Sequence, residues 1–247
     1  MHHRLFTLIP AVTFALASIA SAHEAYIEDT PEGKLVVRFA EYGDKFETSP
    51  GVLDTLVLPY AWRSSTNAKP PEAPKGTETA ANREMRAIKE GQVDSIEIQK
   101  KSDHFLLVGA DPKQPAFFQA DFTVMGNGGD ATKPNRKPIF YARWGEPGSG
   151  DAKPELNFDI VPTSKPGEAR IFLRGKPTAG IKVTLYPPAE AEVELTSDET
   201  GLIKFTATKP GLYFIKGGRQ RETFNGFFGG KQYDVLSHNT ALTWRQK

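Results

Sequence analysis

The chain has 247 residues, with 31 Lys and Arg against 30 Asp and Glu. Balanced charge argues against nucleic acid or an anionic membrane as a partner, since both demand a basic face. The absence of cysteine excludes thiolate nucleophiles, zinc ribbons and iron–sulfur clusters, while 22 Gly, 19 Pro and 16 Phe favour turns and aromatic strands over helices.

The chain opens with Arg4 followed by the apolar run LFTLIPAVTFALASIA, and Ala20 and Ala22 then stand at the A-x-A spacing of a cleavage site. This is the grammar of a secretory signal peptide, residues 1–22. The run is broken by Pro10 and is shorter than the roughly 20 residues of a membrane helix. The expected product is a periplasmic or secreted protein beginning at His23, with no transmembrane segment in its mature chain.

Beyond the leader, Leu35, Val37 and Phe39 alternate in GKLVVRFAEYG, the period of a half-buried strand. VDSIEIQKK and HFLLVGA read as a strand pair; AFFQADFTVMG and KPIFYARWG read as two further strands, separated by a polar connector over Asn127–Lys137. The Pro-rich stretch Trp62–Thr79 reads as a surface loop, and Ala80–Gln92 as one short helix stopped by Gly91. GNGGD at Gly126–Asp130 lacks the lysine and Ser/Thr of a phosphate loop and reads as a turn. A linker composition over Gly145–Glu155 predicts a boundary, giving an N-terminal β domain over 23–150 and a second domain over 151–247. There, short strands punctuated about every ten residues predict a β-sandwich of immunoglobulin-like or prealbumin-like size, with a hairpin-like turn at Asp198–Gly201. The fold class is all-β, with two sandwich-like domains.

Once the leader is removed, only His23, His104 and His238 remain. Each lies at or near a predicted strand edge, so the three are candidate metal ligands. An N-terminal histidine supplies two nitrogens, its α-amine and ring Nδ1, which close a chelate on a divalent ion. One more imidazole completes a histidine brace, and copper is the strongest binder of the suitable metals. His238 is the preferred second arm, because GGKQYDVLS reads as a loop that exposes it ahead of the strand NTALTW. GRQRETFNGFFGGK sets Arg219, Arg221 and Lys231 among Phe224, Phe227 and Phe228, able to hold an acidic or carbohydrate ligand by stacking and cation–π contact. Phenylalanine in a β protein is more often core.

The mature start Ala22-His23-Glu24 with Tyr26, the turn Gly230–Tyr233 and the terminal strand His238–Trp244 resemble an exported bacterial family, domain of unknown function 4198 (NikM-like, after a nickel-uptake component). That resemblance implies a nickel or cobalt cargo, a membrane metal transporter as partner, and a role for His23 and His238. The expected function is binding of a divalent transition metal, copper or nickel/cobalt, in uptake or handling, without catalysis. The alternatives are a brace-type copper oxidoreductase and a metal-free carbohydrate- or protein-binding module.

Overall fold

Among the described residues, alternation of apolar and polar residues is realised as sixteen strands and one short 3₁₀ turn, Val52–Thr55. A computed structural model describes residues 23–65, 93–130, 132–148, 150 and 152–247. The predicted leader, the predicted helix and most of the Pro-rich stretch lie outside the described residues. Trp62 is an exception: it belongs to a strand and is buried, because its ring packs on Tyr60 and Phe117. Among the described residues, no helix is long and apolar enough to cross a membrane.

The first half contributes β1 (Glu24–Asp29), β2 (Leu35–Ala40), β3 (Leu56–Ser64), β4 (Val93–Lys100), β5 (Phe105–Val108), β6 (Ala116–Phe122) and β7 (Arg136–Trp144). As expected, Leu35, Val37 and Phe39 are buried, and β4 pairs with β5. β4 pairs with β3 through Val93–Ile96 and with β5 through Glu97–Lys100, so the sheet turns a corner along one strand. The second half contributes β8 (Phe158–Pro162), β9 (Glu168–Leu173), β10 (Lys176–Pro177), β11 (Lys182–Tyr186), β12 (Val193–Thr196), β13 (Leu202–Lys204), β14 (Gly211–Gly217), β15 (Gln220–Phe228) and β16 (Lys231–Gln246).

One sheet runs β1-β2-β5-β4-β3-β6-β7-β16-β14-β11-β12, with β15 also on β16, and a smaller sheet holds β8, β9, β10 and β13. The chain is all-β, with its strands packed as two sandwiches. Their cores occupy opposite faces of the same strands. Along β7, Ile139 and Tyr141 enter one core with Phe158, Ile171 and Trp244, while Phe140, Ala142 and Trp144 enter the other with Ile27, Val37 and Phe39. Strand alternation makes this possible, since successive side chains point to opposite sides.

The ladder does not stop at the expected boundary near residue 150: β7 from the first half pairs in parallel with β16 from the second, from Val235–Arg136 to Thr243–Trp144. Inside the predicted loop GGKQYDVLS, the residues from Lys231 are instead the opening of β16, held by β15 and β7 on its two sides. The Asp198–Gly201 turn does form, with the Gly201 amide donating to the Asp198 carbonyl at 2.9 Å. Gly201 has φ +77°, and a Cβ there would meet the Ile171 carbonyl oxygen at 2.8 Å. The turn is a corner and no hairpin, because β12 pairs with β11 and β13 with β9 in the other sheet.

Candidate functional site

His23 immediately precedes β1, and its ring lies on the same face as Ala25 and Ile27, 5.4 Å from the Phe39 ring. Glu47 follows β2, and its amide donates to the Phe39 carbonyl at 3.0 Å, which brings its side chain beside the histidine. His23 Nε2 and Glu47 Oε1 are 2.5 Å apart, both partly buried. Carboxylate contact at Nε2 favours a proton on that nitrogen and leaves Nδ1 with a lone pair for a metal.

The other two histidines lie elsewhere. His104 precedes β5 on the outer face of its sheet, where its Nδ1 meets Asp103 Oδ1 at 2.7 Å and Arg38 also approaches. His238 is in the middle of β16 and buried, where an exposed position at a loop end was expected. Its ring stacks on Tyr141 at 5.9 Å, with the Tyr141 hydroxyl 3.0 Å from Nδ1. His238 is in register with Ile139, a residue of the β8–β9 core, whereas His23 faces the opposite core through Phe39. The sheet therefore separates His23 from His238, and neither His104 nor His238 supplies a second arm to it. Among the described residues, no three His, Asp or Glu side chains form a metal cage.

Burial lowers the His238 pKa, against the opposing pull of Glu222, with Lys137 and Arg174 adding to the lowering. The folded value thus lies below the ordinary 6.5, so the stability His238 contributes is present above that pH and lost as pH falls through the folded value. Replacing it in His238→Gln is expected to flatten the fall in unfolding free energy below about pH 6.5, measured by urea titration across pH. Parallel curves for the two proteins would refute this.

His23 also lines a cleft of about 400 Å³, counting space open to solvent, with Phe39, Phe122 and Phe140 along its apolar side. Arg136, Arg219 and Asn239 line the polar side. Sequence reading missed Arg136, placed in a polar connector, although it is the first residue of β7. The Gly126–Asp130 segment that precedes it is a turn as expected, with the Gly129 amide bonded to Asn127 Oδ1 at 3.0 Å. On the opposite face of β1 from His23, Glu24 is almost wholly buried, and burial pushes its carboxyl up to about 8 despite Lys216 and Arg219 nearby.

Compared with known protein families and with curated proteins, the chain matches none.

Proposed function

We propose that this is an exported protein that carries a divalent transition metal on its mature N-terminus, through the α-amine and Nδ1 of His23. The observation that supports the reading is the 2.5 Å contact of His23 Nε2 with Glu47, which orients the ring and leaves the chelating nitrogen available. Such outer partners typically contribute 10–100-fold in metal affinity. Two nitrogens from one residue leave the remaining coordination positions to water or to a second protein. That suits a cargo ion passed onward, here to a membrane transporter, better than a resident redox centre. Copper is favoured by its place in the affinity order, and nickel or cobalt by the family resemblance.

The test compares the chain beginning at His23 with a form carrying one serine ahead of it. The extension turns the amine into an amide and removes the chelate. Cu(II) and Ni(II) titrations should show strong binding only by the first form, and Glu47→Gln should weaken it by about 10–100-fold. N-terminal sequencing of the exported protein should read His-Glu-Ala-Tyr. Equal affinity of the two forms would overturn the reading.

A further inference from the structure

The cleft beside His23 carries a second set of groups that metal binding leaves unused. Three arginines meet on the face of β7, β16 and β15 that continues the Phe140 side. Arg136 opens β7 in register with Val235, Arg221 of β15 is in register with Ser237, and Arg219 donates to Asn239 Oδ1 at 3.3 Å. Val235, Ser237 and Asn239 alternate along β16, so all three arginine positions border one face.

Among the described residues, none of the three guanidinium groups has a carboxylate within ion-pair distance. They also repel one another: burial and the neighbouring arginines depress the pKa of Arg136, and burial lowers that of Arg219 against the opposing pull of Glu24, with Arg221 adding to the lowering. Arg136 is half-buried while Arg219 and Arg221 are exposed, so the three together present like charge to an incoming anion. A buried polar group on that face is also unsatisfied. Ser237 Oγ is fully buried, with no hydrogen-bond partner among the described residues, a state that folded proteins rarely leave unfilled.

We infer that this face of β7, β15 and β16 is a binding site for a small carboxylate with an apolar or aromatic body. The guanidinium fork matches a carboxylate in two-point contact. The rest of the cleft selects the body: Phe122, Phe140, Met125 and Pro138 offer no hydrogen bonds to a hydrated inorganic ion but stack or pack against hydrocarbon. The site is distinct from the His23 chelate, and stands if that chelate fails.

The experiment titrates the mature chain with benzoate, benzamide, acetate and inorganic phosphate in the presence of EDTA, followed by calorimetry. Benzoate should bind at least about tenfold more tightly than benzamide, which keeps the shape but lacks the charge. The double variant Arg136→Gln/Arg221→Gln should lose at least about tenfold in benzoate affinity, while Lys113→Gln, an exposed charge between β5 and β6, should change nothing. Should the double variant fail to fold, Arg221→Gln alone, at an exposed position, carries the same expectation of weakened benzoate binding. Because the titration is made in EDTA, with no metal on His23, its result is separate from metal binding. Equal affinity for benzoate and benzamide, or full affinity in the arginine variants, would overturn the inference. So would phosphate binding as tightly as benzoate.

Discussion

Asp159→Asn should lower the unfolding free energy by about 3–5 kcal/mol, the usual consequence of removing one partner from a buried ion pair. Asp159 is fully buried and Arg143 nearly so. The pair is two-pronged, Arg143 Nε to Oδ1 at 2.8 Å and Nη2 to Oδ2 at 2.6 Å. The carboxylate also accepts the amides of Glu155 at 2.8 Å and Leu156 at 3.2 Å, and the guanidinium sits 4.6 Å over the Phe117 ring. Asparagine keeps the shape but leaves the guanidinium charged, buried and without its counter-ion. Because Arg143 lies on β7 and Asp159 on β8, the pair also ties the shared sheet to the smaller one. Urea unfolding of the two proteins measures the loss, and a change below about 1 kcal/mol would show that water reaches the pair. Replacing both partners by apolar residues of similar volume, Arg143→Met with Asp159→Leu, should recover much of the loss, since no charge is then stranded.

Trp244→Ala should cost a similar 3–5 kcal/mol, through lost burial and the cavity left behind. Trp244 is 1% exposed on β16, stacked on Tyr213 at 4.9 Å with the rings 10° from parallel, and Phe205 closes against it from the smaller sheet's side. Its indole N–H has no partner among the described residues. Trp244→Phe therefore removes a buried, unpaired donor along with some volume, and should cost markedly less than the alanine variant. The comparison is made by urea midpoints at constant slope. Equal costs for Phe and Ala would mean that ring packing contributes little here.

Period-two alternation at Leu35, Val37 and Phe39, and the twin apolar runs of β4 and β5, are local signals that a strand imposes wherever it has one buried face. β16 gave such a signal only at its end, in NTALTW. Its central residues Ser237, His238, Asn239 and Thr240 are polar yet buried, because both edges are occupied by other strands and both faces are covered. Burial of that kind is decided by pairing with β7, about a hundred residues away in sequence, and no short window contains it. β1 and β15 were missed as well. At the candidate site, His23 stood out because a terminus has chemistry of its own. Glu47 did not, being one of 30 acidic residues until the fold placed it against the ring. Arg219 and Arg221 were noticed as a cluster with Phe224 and Phe227, but those two phenylalanines are exposed on β15, and the partner that completes the arginine group, Arg136, comes from the other half of the chain.

Among the described residues, β16, the strand that joins the two halves of the large sheet, is the last in chain order. During synthesis, β7 emerges with one edge bare and waits for its neighbour until β16 appears. The core around Phe158 and Ile171 stays incomplete for the same interval, since it draws Leu242 and Trp244 from β16. The protein therefore depends on whatever keeps an unpaired β edge from meeting another copy of itself, and its vulnerable period is set by the delivery of its final strand.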